Sequence, residues 1–130
     1  MSDVVILNRA KSHRKGIVIE RNGRITLRSR PCRLLWLETG SRISFVVLGQ
    51  QMYLLKEPEP HVNKDTLRLC GRKFQLHCCS KDTALEVLKN VYGAGRLDKV
   101  ELNVSPSVVS VSIGMDKFDA LAVINIVDNH

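Results

Sequence analysis

Short apolar runs rich in β-branched residues, punctuated by glycine, asparagine and proline, make up most of this chain. The clearest is Gly16-Ile17-Val18-Ile19-Glu20-Arg21, then Asn22-Gly23, then Arg24-Ile25-Thr26-Leu27-Arg28. Two β-rich runs around the dipeptide favoured in type I′ turns predict a β-hairpin. A two-residue turn would set Arg21 opposite Arg24, Glu20 opposite Ile25, Ile19 opposite Thr26, Val18 opposite Leu27 and Ile17 opposite Arg28. Val18, Ile25 and Leu27 then share one side, and Arg21, Arg24, Thr26 and Arg28 share the other with Ile17 and Ile19. Facing like charges oppose pairing by a few tenths to about 1 kcal/mol. An anion lying between the arginines would remove that penalty; a solvated Arg-rich ribbon is the plain alternative.

Residues 29–37 fit a short helix, with Ser29 as cap and Pro31 in the first turn. Residues 38–41 turn the chain, and strands over 43–48 and 52–56 form a second hairpin around Gly49-Gln50-Gln51. Lys56-Glu57-Pro58-Glu59-Pro60-His61 breaks the pattern and reads as a linker, with a domain boundary near residue 60. Beyond it, residues 66–70 and 73–78 read as strands around Gly71-Arg72. Ser80 opens a helix whose Ala84, Val87, Leu88 and Val91 follow the i, i+3, i+4, i+7 spacing, with Gly93 as its stop. Strands over 99–105, 108–113 and 120–127 complete the reading. The expected fold is mainly β with short helices: a basic arm over residues 1–15, which includes a strand-like lead-in at 4–8, a β-rich domain over 16–57 and a small C-terminal α/β domain over 61–130.

Composition agrees with a folded chain. At 130 residues, 44% hydrophobic and 25% charged, the sequence makes one ordinary domain or two very small ones, and wholesale disorder is excluded. No run approaches the roughly 18 apolar residues of a membrane helix, and the first residues do not form a secretory signal, so a cytoplasmic protein is expected. The net charge of +7 is unevenly placed. Residues 1–42 carry ten Lys and Arg against Asp3, Glu20 and Glu38, whereas residues 43–130 carry ten of each sign. Eight of the ten N-terminal cations are arginine, whose planar fork suits bidentate contacts to phosphates and base edges. An anionic partner for the N-terminal third is the leading expectation. Arg14, Lys15 and Arg21 join the candidate surface from charge placement and hairpin geometry.

Over residues 16–57 the order strand, tight turn, strand, short helix, turn, strand, turn, strand resembles the SpoVT/AbrB swapped-hairpin DNA-binding domain. The matching residues are Gly23-Arg24, Ile25-Thr26-Leu27, the helix to Leu35, Leu37, Gly40, Ile43-Ser44-Phe45 and Tyr53-Leu54-Leu55-Lys56, with no insertion or deletion. Arg28 stands where the family usually has proline, Trp36 replaces the glycine that commonly follows the helical leucine, and Pro31 lies deeper in the helix. The resemblance implies an interleaved homodimer with hairpins exchanged between two copies. It also implies duplex DNA contacts at Arg24, Arg28, Arg30 and Arg33. Some relatives carry two such units in one chain, and Gly71-Arg72 with the strand, helix and strands after it loosely echoes Gly23-Arg24, so residues 61–130 as a degenerate second copy is the alternative.

Other chemistry finds little support in the sequence. His77-Cys78-Cys79 lacks the CxxC or HxxxH spacing of a tetrahedral metal site, and Cys32, Cys70, Cys78 and Cys79 read as small core thiols of a reducing compartment. No phosphate-binding glycine loop, paired helical carboxylates or nucleophile with its orienting partner is recognisable. No enzymatic activity, cofactor or metal is expected. Trp36, Phe45 and Tyr53 are candidate stacking platforms for single-stranded nucleic acid, but each lies in an apolar run, and core packing is the favoured reading. The sequence thus points to a DNA-binding transcriptional regulator of the transition-state or antitoxin type, with a protein partner for the C-terminal domain. The alternatives are a protein-interaction adaptor and a single-stranded nucleic-acid binder.

Overall fold

The computed structural model describes residues 16–57, 66–91 and 98–125. In chain order the elements are β1 (Ile17–Glu20), β2 (Arg24–Leu27), α1 (Ser29–Leu34), β3 (Arg42–Leu48), β4 (Gln51–Lys56), β5 (Leu67–Arg68), β6 (Cys70–Arg72), β7 (Gln75–Cys79), α2 (Lys81–Asn90), β8 (Lys99–Val104), β9 (Val109–Ile113) and β10 (Asp116–Asn125). The chain is mainly β, as its short apolar runs require. The strands pair in the order β5-β3-β4-β10-β8-β1-β2-β7-β6, with β9 attached to β10. Because β5 and β6 are separated only by Leu69, the path returns to the stretch it started from, and the antiparallel sheet is a nearly closed barrel. Closure of this kind leaves few free strand edges.

The pairing has an internal two-fold pattern. β1 with β2 corresponds to β6 with β7; β1 with β8 corresponds to β5 with β3; β3 with β4 corresponds to β8 with β10. The two remaining contacts, β2 with β7 and β4 with β10, each join an element to its own counterpart. α1 follows β2 as α2 follows β7. Among the described strands, β9 has no counterpart.

This arrangement corrects the expected division near residue 60. Strands from both sides of that point alternate in one sheet, and Ile17, Ile19, Ile25 and Leu27 share a single buried cluster with Leu76, Cys78, Leu102 and Val104. Strands β1 to β4 find their neighbours within the same chain, where the resemblance implied exchange between two copies. The inward-facing apolar side chains also explain the cohesion, since each fully buried Leu or Ile contributes about 1.5–3 kcal/mol from apolar burial.

The first hairpin forms, but its register differs from expectation by one residue. Ile17 faces Leu27, Val18 faces Thr26 and Ile19 faces Ile25, so the turn holds three residues, Arg21, Asn22 and Gly23. Gly23 has φ +112 and donates its N–H to the Glu20 carbonyl at 2.9 Å. A left-handed glycine at this place marks a three-residue hairpin loop rather than the two-residue type. The shift puts Ile17, Ile19, Ile25 and Leu27 together on the core side and removes the predicted Arg21–Arg24 opposition. An opposed cation pair occurs elsewhere, at Arg42 and Arg68 between β3 and β5.

Helix α1 is shorter than the expected 29–37, and Arg28 occupies the cap position without a side-chain cap. Pro31 and Cys32 face inward. In the next hairpin the turn falls at Lys73-Phe74, not at Gly71-Arg72, because Arg72 pairs with Gln75. Helix α2 follows expectation: the Ser80 hydroxyl accepts from the Thr83 N–H at 3.2 Å, and Ala84, Val87 and Leu88 are buried. Gly93 lies outside the described residues. β10 starts earlier than expected, at Asp116, since its first half pairs with β9. No helix among the described residues is long and apolar enough to cross a membrane.

Candidate nucleic-acid interface

Strand alternation decides where β2 presents its polar groups. Ile25 and Leu27 are buried in the core, so Arg24 and Thr26 take the other face, opposite Cys79 and His77 of β7. Arg24 is exposed. Arg28 comes one residue after β2, where its N–H donates to the Gly16 carbonyl at 2.9 Å. Its Nε is buried and has no hydrogen-bond partner among the described residues. No carboxylate among the described residues pairs with the guanidinium. A dry, unsatisfied donor costs roughly 1–3 kcal/mol, which an arriving anion near the guanidinium would offset in part.

Arg30 and Arg33 lie three residues apart on α1, the spacing of neighbours on one helix face, opposite the inward Pro31 and Cys32. Arg33 is exposed and places its guanidinium carbon 4.4 Å from the centre of the Phe74 ring. Lys73 places its ammonium 5.2 Å from the same ring. Phe74 thus gathers two cations by attraction to its π face. Among the described residues, Arg24, Arg28, Arg30 and Arg33 form no ion pair. Arg72, beside Lys73, is also exposed.

Arg21 departs from the expected group. It sits in the β1–β2 turn, at the same end of β2 as Arg24 and away from Arg28, but its Nε is 3.6 Å from the Asp98 carboxylate and its N–H is on the Asp98 carbonyl at 2.8 Å. An acid from the second half of the chain shares its charge. Arg14 and Lys15 lie outside the described residues.

Between the end of α1 and the β6–β7 turn opens a cleft of about 740 Å³, lined by Cys32, Arg33, Trp36, Leu37, Glu38, Thr39, Lys73 and Phe74. Trp36 is 82% exposed, contrary to its expected place in the core. The reason is local. α1 ends at Leu34, Leu35 turns inward, and Trp36 takes φ +54, which swings the indole out while Leu37 returns to the core. The turn is fixed by Leu37 N–H to the Cys32 carbonyl at 2.9 Å and by Lys56 Nζ to the Trp36 carbonyl at 3.1 Å. Left-handed backbone costs a non-glycine residue about 1–2 kcal/mol. Phe45 and Tyr53 pack half-buried against the core, as expected.

Sequence reading missed Arg72, Lys73 and Phe74, and for Trp36 it preferred core packing to a stacking role. Arg72-Lys73 was visible as a cation pair next to a turn, but its proximity to Arg33 depends on strands distant in sequence. For Trp36 the signal was its place where the resemblance has glycine after the helical leucine, a left-handed position, but its apolar neighbours Leu34, Leu35 and Leu37 favoured the core.

The cysteines divide. Cys32 and Cys78 are buried, whereas Cys70 and Cys79 are exposed, correcting the expectation of four core thiols. Burial pushes the Cys78 thiol from 9.0 up to about 12, with neighbouring Cys79 and Cys70 adding to the rise; burial also raises Cys32. Among the described residues, no group of three His, Cys, Asp or Glu is placed to hold a metal ion. Comparison with family models, with curated proteins and with solved structures finds no match for this chain.

Proposed function

We propose that the protein binds duplex DNA, as a transcriptional regulator of the transition-state or antitoxin type. The surface used comprises Arg24, Arg28, Arg30 and Arg33 from the first half, with Arg72 and Lys73 from the second. The observation that carries this reading is the absence of any ion pair at the four arginines among the described residues, with the Arg28 Nε buried and without a hydrogen-bond partner among them. Arginines held in this way meet phosphates with charge-assisted, bidentate contacts. The internal two-fold pattern supports the same reading, because one chain supplies the paired hairpins that the swapped-hairpin resemblance assigns to two copies.

Six cations on phosphates give a log–log dependence of affinity on salt with slope around −5. Fluorescence anisotropy of labelled duplex at two salt concentrations measures it. Steeply salt-dependent binding supports the proposal, and equal, negligible binding at both concentrations overturns it.

A further inference from the structure

Trp36 and Phe74 are the two non-glycine residues with left-handed backbone among those described, and both line the same cleft. Both angles belong to chain reversals: Trp36 follows the α1 C-cap, with Leu37 N–H on the Cys32 carbonyl and its own N–H on the Arg33 carbonyl, and Phe74 lies in the β6–β7 turn. Their consequence is that two aromatic rings are set on one cleft. The two residues divide the work. Phe74 is covered by the Arg33 and Lys73 cations, whereas the Trp36 indole stands free in solvent. Glu38 is the single acid on the lining, so the cleft combines an open aromatic face with a net positive rim.

That pairing fits a flat ring bearing a negative charge. We infer that the cleft binds one unpaired nucleotide of a nucleic-acid strand, its base stacked on Trp36 and its phosphate met by Arg33 and Lys73. The inference rests on the nucleic-acid reading above and deepens it: paired bases inside a duplex stack on each other and offer no face to an indole, whereas a bulged or single-stranded base does. The nucleotide belongs to a strand because Arg72 beside Lys73, and Arg30 on the same helix face as Arg33, extend the positive surface past the cleft.

The chain contains one tryptophan, so intrinsic fluorescence of the whole protein reports Trp36 alone. It is titrated with a blunt duplex, the same duplex carrying a one-nucleotide bulge, a single strand and adenosine monophosphate. Bulged duplex and single strand are expected to quench the emission, and blunt duplex to bind without quenching. In anisotropy with labelled oligonucleotides, Trp36→Ala loses the preference for bulged over blunt duplex, by about five- to a hundredfold, keeps its affinity for blunt duplex, and Trp36→Phe restores most of the preference. Trp36→Gly, which relieves the left-handed backbone, raises the melting temperature and loses the same preference; a lowered melting temperature would make the indole part of the fold and overturn the inference. Blunt-duplex binding with no quenching by bulged duplex overturns it and leaves the duplex proposal standing. Quenching by adenosine monophosphate but by no strand also overturns it, and loss of all binding sinks both readings.

Discussion

Arg28 joins β2 to α1, and its environment shows how one residue serves both fold and surface. The backbone is tied to Gly16, the Nε is dry, and no acid stands beside it among the described residues. Arg28→Met keeps the stem and removes the buried donor, so unfolding stability should hold or rise while duplex affinity falls about tenfold, the loss of one charge-assisted contact. Chemical denaturation and anisotropy on the same variant check both halves of that statement. Cys78 carries a pH prediction. The folded chain keeps this proton up to about pH 12 and the unfolded chain releases it near 9.0, so proton loss favours unfolding. The contribution is whole below pH 9.0 and is lost as pH rises from there toward 12. Denaturation at pH 8 and pH 10.5 should show stability falling, with a smaller fall in Cys78→Val.

At the scale of elements, turns and close approaches control which strands meet. A Cβ at Gly16 would collide with the Leu102 carbonyl, where β1 meets β8. Gly16→Ala should therefore destabilise by about 2 kcal/mol or more, the range of steric mutations that force backbone apart, measured by urea unfolding. The hairpin itself was legible from Asn22-Gly23 and its flanking β-branched residues. Its register was not, because a three-residue and a two-residue loop share that dipeptide and differ only in the backbone angles of the turn. Helix α2 was legible down to its Ser80 cap and its buried Ala84, Val87 and Leu88, since both signals are local. The pairs β1–β8, β2–β7 and β4–β10 were not, because they join residues 49 or more apart in the sequence through burial that no local pattern records. For the candidate site, the arginines of β2 and α1 stood out by composition, whereas Lys73, Phe74 and the outward Trp36 depend on those long-range pairings and on α1 ending at Leu34.

Across the whole molecule, the internal two-fold relates the strands but not the charges. Counting from the inward Leu27 and Cys78 into the helices, Arg28 corresponds to Cys79, Arg30 to Lys81 and Arg33 to the buried Ala84. Arg28 and Arg33 have no cationic counterpart, so one chain offers a single asymmetric surface where two identical copies would offer a symmetric one. Half-site symmetry in a DNA target mirrors symmetry in the protein, and a non-palindromic target is the expected preference. Strand pairing within the chain also predicts a monomer, and sedimentation at micromolar concentration should return the 14.6 kDa mass of one chain; a dimer that resists dilution would contradict it. The most direct test of the central claim, that uncompensated arginines of β2 and α1 face a polyanion, is the salt dependence of duplex binding in a variant combining Arg24→Gln, Arg28→Gln, Arg30→Gln and Arg33→Gln. Four lost phosphate contacts should flatten the log–log slope from around −5 to about −2; a slope equal to that of the unaltered chain would contradict the account.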